Sequence, residues 1–318
     1  MDSHVIGPDD VQAARAAIAG RLHRTPLLAS ETLGQTFGGR AFLKAELFQK
    51  TGSFKPRGVL TKLASLTPEE RVRGVIAASA GNHAIALAYG AALEGLDALV
   101  VMYQGASEFK AAAARAYGAR VDLEAEGPQV VFDRLAELMA ETGRVLVHPF
   151  DDPLVLAGQG TVGLEIGEDL PDVDVVIVPT GGGGLVSGVA SALPSVRIFA
   201  VEPEGSAALR LALEAGEPVR LAPQSVADGL NAPFAGSLAL EICQERGVES
   251  VLVTEEEIET GFHFLYERAK LAAEPAAAAG VAALLAGKVP GIEGRTVAVL
   301  VSGGNVSAGT ASAILAGR

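Results

Sequence analysis

The chain has 318 residues, 49% hydrophobic and 20% charged, with 25 basic against 38 acidic side chains and a formal net charge of −13. This excludes collagen, coiled coil and disorder, and allows one large or two ordinary domains around a substantial core. The acidic balance, unrelieved by a basic patch, excludes nucleic acid and membrane as expected partners and leaves a small molecule.

The N-terminus, MDSHVIGPDD, has neither a basic n-region nor an apolar h-region, so no signal peptide is expected. A strand is expected to end near Lys44, and the segment Gln49-Lys-Thr51-Gly52-Ser53-Phe54-Lys55-Pro56-Arg57-Gly58 then enters a helix at Pro56. Proline suits the first helical position and biases the residue before it toward extended backbone, which predicts Lys55 at the N-cap. There the helix dipole disfavours its charge, and a partly neutral lysine can condense with a carbonyl or serve as a base. Alone, a lysine at a helix start is more often solvated than catalytic; its neighbours decide.

From about residue 74, short β-branched runs alternate with alanine-rich helical stretches. Strands are predicted at 74–79, 97–103, 120–124 and 144–149, with helices near 82–93, 108–118 and 128–142 between them. A second series follows at 174–180, 197–203, 249–254 and 296–302, and Thr254 to Glu257 reads as a capping box opening a helix. Such alternation predicts an α/β protein with parallel sheets covered on both faces, divided within the turn-rich residues 148–153. The uncharged stretches 175–196 and 296–317 have the length of a membrane span, but glycine-rich breaks make each a strand, a loop and a helix. The one cysteine, Cys243, cannot bridge within the chain and fits a reducing, cytoplasmic setting.

Ligands in such folds bind beyond the carboxyl ends of strands. Thr180-Gly181-Gly182-Gly183-Gly184-Leu185 joins a strand to a helix, so backbone N–H groups converge on one point where a side chain would obstruct them, as a single phosphate requires. The plainer reading is a tight turn, for which four glycines are more than needed. A literal GxGxxG occurs at Gly158-Gln-Gly160-Thr-Val-Gly163, but no strand leads directly into it, and it reads as a chance match on a helix start. Ser79-Ala80-Gly81-Asn82-His83-Ala84 and Ser302-Gly303-Gly304-Asn305 also follow strands and in isolation are ordinary helix caps. Histidines 4, 23, 83, 148 and 263 show no metal-ligand spacing.

GSFKPRG, SAGNHA, TGGGGL and VSGGN, in this order, resemble the pyridoxal-phosphate enzymes of the tryptophan synthase β-like fold, and within them the threonine/serine dehydratase and serine racemase family. The resemblance runs from about Thr25 to Asn305. It implies two three-layer parallel-sheet domains, a large one from 1–47 with 149–318 and a small mobile one from 48–148. It implies that Lys55 holds pyridoxal 5'-phosphate covalently and is the catalytic residue, that Gly181, Gly182, Gly183, Gly184 and Leu185 hold its phosphate, that Asn82 bonds its phenolic oxygen beside Phe54, and that Ser302 faces its pyridine nitrogen. Ser79, Ala80, Gly81, Asn82 and His83 are then expected to clamp the substrate carboxylate, with Ser53 near the reacting atoms.

Three positions depart from the family pattern. Ile85 stands where glutamine is common after Asn-His-Ala, and Ala80 where racemases have a second serine. Ala208 replaces the acid that, with Glu202, supplies metal ligands in metal-activated members, so Glu202 is a partial match for Mg²⁺ or Ca²⁺. The expected activity is a lyase acting on L-threonine and L-serine, in a homodimer or homotetramer. The alternatives are a serine racemase, a 3-hydroxyaspartate dehydratase or, from another class, an NAD(P)-binding oxidoreductase using the Gly158 motif. The chain stops soon after its last helix, so the C-terminal regulatory domain of biosynthetic threonine dehydratases, and isoleucine feedback with it, are not expected.

Overall fold

The computed structural model describes residues 5–127 and 130–317; His4 and the first two residues of the helix predicted over 128–142 lie outside the described residues. Ten strands are described: β1 (Leu27–Ala29), β2 (Arg40–Ala45), β3 (Val75–Ala78), β4 (Ala98–Tyr103), β5 (Arg120–Ala125), β6 (Val145–Leu146), β7 (Val175–Pro179), β8 (Arg197–Pro203), β9 (Glu249–Val253) and β10 (Thr296–Val301). They form a six-stranded sheet in the order β1-β2-β10-β7-β8-β9 and a four-stranded sheet in the order β5-β4-β3-β6. Every pairing is parallel except that of β1, whose Leu27 sits antiparallel to Lys44 of β2.

Burial explains the parallel arrangement. Every residue of β3, β7 and β10 is buried, so these strands are apolar throughout rather than alternating, as sheets covered on both faces require. On the six-stranded sheet one face packs against Pro275–Leu285 and Glu255–Glu267, through side chains such as Val281, Leu284 and Phe262. The other face takes Val162 and Ile166 from Pro153–Asp169 and Val186 and Val189 from Gly184–Ala192. The four-stranded sheet lies between Val59, Leu63 and Leu87 of Lys55–Ala64 and Asn82–Glu94 on one side and Leu135 and Leu138 of Val131–Thr142 on the other. The result is two three-layer α/β arrangements.

The predicted strand over 144–149 is shorter than its apolar run. Val147 still donates to the Ile76 carbonyl, but Pro149 has no N–H, and the amides of Phe150 and Asp151 turn to Nδ1 of His148. The Thr254 capping box forms as expected, with Thr254 Oγ1 accepting from the Glu257 amide at 3.2 Å and Glu257 Oε2 accepting from the Thr254 amide at 2.8 Å. Among the described residues no helix is long and apolar enough to cross a membrane.

The Gly158 motif lies inside Pro153–Asp169 rather than at its start. A Cβ at Gly158 would stand 2.4 Å from the Arg57 carbonyl, and one at Gly160 would stand 2.5 Å from that of Gly188. These glycines let three helices touch backbone to backbone, so they are packing residues. The oxidoreductase reading loses the feature on which it rested.

Candidate active site

Four loops converge where the two sheets meet. The segment ahead of Lys55 is stitched to the end of β10: Ser53 bridges Gly303, the Phe54 amide donates to the Ser302 carbonyl at 3.2 Å, and the Gly304 amide donates to the Gly52 carbonyl at 2.9 Å. Lys55 is the first residue of its helix, and Phe54, with φ −62° and ψ −19°, is the N-cap. This corrects the expectation of an extended Lys55 cap. The bond from the Arg57 amide to the Phe54 carbonyl, 3.1 Å, closes a turn that contains Lys55 and Pro56, and this local contact overrides the proline's preference.

Lys55 Nζ donates to the Pro149 carbonyl at 2.9 Å and lies 5.1 Å from the centre of the Phe54 ring. Burial pulls its pKa down to about 8, against a smaller upward pull from Glu274. Desolvation therefore does what the helix dipole was expected to do.

Residues 149 and 150 also connect Lys55 to the glycine turn. A Cβ at Gly182 would fall 2.4 Å from Cγ of Phe150, one at Gly184 would fall 2.9 Å from Cα of Phe150, and one at Gly181 would fall 2.9 Å from the Leu230 carbonyl. Gly183 has φ +90°, in the left-handed region that glycine alone enters freely. The turn opens Gly184–Ala192, so its peptide N–H groups lie at the positive end of that helix, and Leu185 is buried in the first turn.

On the four-stranded sheet, β3 leads through Ser79, Ala80 and Gly81 into Asn82–Glu94. Ser79 Oγ accepts from the Gly81 amide at 3.1 Å, and a Cβ at Gly81 would meet nothing within 4 Å, so this loop borders open space. Asn82 donates from Nδ2 to Oε1 of Glu274 at 2.6 Å. His83 donates from Nε2 to the Val147 carbonyl at 2.8 Å, and burial, with Lys55 nearby, drops it to about 3, so it stands neutral. Ser302 is buried at the end of β10. The buried hydroxyl of Ser53 makes no hydrogen bond among the described residues. Chemically, the cluster offers a lysine amine that is easily uncharged, a backbone cradle for an anion, and the buried hydroxyl of Ser53.

Glu202 is not part of this cluster and is not arranged for a cation. Its Oε1 accepts from the Leu209 amide at 2.7 Å, and its Oε2 accepts from the Arg210 amide and the Ser250 hydroxyl, both at 2.9 Å. Donors aimed at both oxygens repel a metal ion, and the carboxylate instead anchors the start of Ala208–Ala215. Among the described residues no three His, Cys, Asp or Glu side chains form a metal cluster.

Sequence reasoning did not single out Glu274. It is buried, lies next to Asn82, and is pushed up to about 7 by desolvation. The available signal was a lone acid placed directly before the proline that opens an alanine-rich helix. The carbonyl of Pro149 and the ring of Phe150 left no signal, because backbone acceptors and packing partners emerge only from tertiary structure.

The sequence profile of the family described as "Pyridoxal-phosphate dependent enzyme" matches residues 18–303. An L-threonine ammonia-lyase of Thermotoga maritima is 44% identical over 303 residues, which cover 94% of this chain and 75% of that protein. Among solved structures, maize serine racemase superposes with a TM-score of 0.92 at 35% identity, covering 98% of each chain. Threonine deaminase isoform 2 of Solanum lycopersicum superposes with a TM-score of 0.88 at 31% identity, covering 99% of this chain and 97% of its own.

Proposed function

The chain belongs to the pyridoxal-phosphate-dependent enzyme family, and from that premise we propose that Lys55 holds the cofactor and moves the reacting proton while the Gly181–Gly184 turn holds its phosphate. The activity is that of a threonine ammonia-lyase: L-threonine is converted to 2-oxobutanoate and ammonia, and L-serine to pyruvate and ammonia. One observation carries the site assignment: Lys55 Nζ rests on the Pro149 carbonyl, and the neighbouring Phe150 supports the glycine turn. The residues fit the cofactor, since they offer a desolvated amine, a backbone cradle that admits no Cβ, and the unpartnered buried hydroxyl of Ser53.

When bound, pyridoxal phosphate supplies an electron sink that weakens the bond between the substrate α-carbon and its hydrogen. Lys55 Nζ accepts that proton, and the hydroxyl on the β-carbon leaves as water. Water later adds back as the nitrogen departs as ammonia, so the net reaction releases only ammonia. The loop Ser79 to His83 would hold the substrate carboxylate at the start of the Asn82 helix, where backbone N–H groups and the dipole favour an anion. Asn82 would give its amide to the phenolic oxygen beside Phe54, and Ser53 would approach the reacting atoms. Ser302 would offer the ring nitrogen a hydroxyl rather than a carboxylate. Such a partner does not hold a proton there, which suits elimination because the departing hydroxyl takes the electrons.

The reading extends to a cytoplasmic homodimer or homotetramer in which the four-stranded sheet moves as a small unit against the six-stranded one; the boundary expected at residue 48 shifts to beyond the Lys55 helix, because residues 52–57 are bonded to the end of β10, to Glu46 and to Glu165. One buried free cysteine fits the reducing compartment, and two separate sheets fit the small and large units. The reading includes no divalent metal at Glu202, because both its oxygens already accept hydrogen bonds.

Mixing apoprotein with pyridoxal phosphate should produce a yellow absorbance that survives dialysis, whereas a colourless dialysed protein contradicts the assignment. The neutral amine is the reactive form. With its pKa lowered to about 8, the rate of cofactor uptake should rise with pH and level off above about 8, rather than climbing to the range of an ordinary lysine. Stopped-flow absorbance across pH 6 to 10 checks this.

Gly183→Val should weaken cofactor binding by about tenfold or more. The valine must adopt φ +90°, where an L side chain costs about 1–2 kcal/mol, and its Cβ would stand 2.9 Å from that of Ala239. Unchanged affinity in a fluorescence titration would reduce the glycine run to a simple turn.

A further inference from the structure

Asn305 ends the turn after β10, and the reaction described above gives it no task. Its Nδ2 donates to two acceptors, the Thr51 carbonyl at 2.7 Å and Oδ1 of Asn82 at 2.9 Å. Asn82 passes the chain on, donating from its own Nδ2 to Glu274 Oε1 at 2.6 Å. Glu274 is 1% exposed, and its Oε2 makes no hydrogen bond among the described residues.

The direction of this chain matters because the two ends of a primary amide differ in chemistry but hardly in shape. Turning Asn82 over would set its NH2 against the NH2 of Asn305 and its oxygen against a Glu274 oxygen. Both contacts select the same orientation. As a carboxylate Glu274 can only accept and enforces this orientation; burial raises it to about 7, and when it is protonated it can also donate, so the Asn305 contact then sets the orientation. One hydrogen of the Asn82 NH2 is then engaged by Glu274, and the second is left for a ligand.

The same Asn305 amide reaches the segment leading to Lys55. Thr51 holds φ 62° and ψ 10°, a left-handed conformation that a threonine adopts only where its surroundings impose it. Its carbonyl is one of the two acceptors of Asn305. The adjoining Gly52, at φ +72°, lies so close that an added Cβ would stand 2.7 Å from Asn305 Oδ1.

We propose that Asn305 and Glu274 are positioning residues that lock the amide of Asn82 with its NH2 facing the phenolic oxygen of the cofactor ring, and that Asn305 also fixes the Thr51 turn ahead of Lys55. The inference rests on the role proposed above for Asn82.

Asn305→Asp tests it, because a carboxylate there puts acceptors against two acceptors and drives Asn82 to turn over. The apoprotein should then bind pyridoxal phosphate at least about tenfold more weakly. The visible absorbance of the bound cofactor should move to shorter wavelength, since an oxygen facing the phenolic oxygen disfavours its ionised form. Asn305→Ala, which removes the donor without adding charge, should fall between this variant and the wild type, and it serves if Asn305→Asp does not fold. Glu274→Ala, which removes the acceptor of the Asn82 NH2, should weaken binding by several-fold and shift the absorbance in the same sense, with Glu274→Gln, which can still present an accepting oxygen, closer to wild type; a folded Glu274→Ala with wild-type affinity and absorbance removes Glu274 from the inference. Thermal melting of each variant separates these effects from loss of fold. Folded Asn305 variants that bind with wild-type affinity and absorbance overturn the inference alone. A wild type that binds no pyridoxal phosphate overturns the function on which it rests.

Discussion

Lys55→Ala should leave a folded protein with no dialysis-stable yellow absorbance and with turnover reduced by at least about a thousandfold. Structural cost is expected to be small, because the side chain makes one hydrogen bond, to the Pro149 carbonyl, and that carbonyl can turn to water in the space the lysine vacates. Functional cost is large because the proposed assignment gives the amine two tasks, covalent hold on the cofactor and receipt of the α-proton, and no neighbour is suited to take them over. His83 has an Nδ1 that makes no hydrogen bond among the described residues, but burial lowers the ring to about 3, too weak a base for the task. His148 is also kept from protonation by burial, and its Nδ1 accepts from two backbone amides. Circular dichroism, absorbance after dialysis and a 2-oxo-acid assay together check the result. A stable yellow colour in the variant would move the anchor to another residue.

Arg57→Ala should cost about 3–5 kcal/mol of stability, the usual loss when one partner of a buried ion pair is removed. Arg57 is 2% exposed and its guanidinium is fully occupied by acceptors. Nε and Nη2 donate to Glu46 at 2.9 and 2.8 Å, and Nη1 and Nη2 donate to Glu165 at 2.7 and 3.0 Å. Lys44 Nζ completes a balanced quartet by donating to Glu165 at 2.6 Å. Without Arg57, the fully buried Glu46 carboxylate loses the cation that pairs with it, and burying it unpaired is costly. Arg57→Met combined with Glu46→Met should be less damaging than Arg57→Met alone, since the double change removes the stranded charge. Urea denaturation midpoints check this order, and a double variant worse than the single would contradict it. Because Arg57 lies two residues beyond Lys55, the quartet also joins the reactive lysine's helix to β2 and to the Pro153–Asp169 helix.

Most of the frame could be read in the sequence because its strands are buried on both faces and therefore appear as unbroken apolar runs ended by glycine turns. The run 174–180 became β7 with one residue trimmed at each end, and TVAVLVS became β10 without its serine. The three-residue β1 is too short to carry a period, and its antiparallel pairing depends on β2 beside it. Glycines were legible where a loop follows a strand, as at 181–184, and misleading at 158–163, where the need for them lies in other helices that come close. Lys55 and Asn82 stood out through their motifs. The contacts that govern them did not, because Glu274 and Asn305 are about 190 and 220 residues from Asn82 along the chain and meet it only when both sheets are in place.

The measurement that bears most directly on the account is the product balance of the cofactor-loaded protein with L-threonine and L-serine, following 2-oxo acid, ammonia and, by chiral chromatography, D-serine. 2-Oxobutanoate or pyruvate should form in equal amount with ammonia, with D-serine far behind pyruvate. Reprotonation from the face opposite Lys55 needs a donor, and the family's racemases use the serine that here is Ala80, whose methyl has no proton to give. No 2-oxo acid from either substrate, or D-serine forming as fast as pyruvate, would contradict the account.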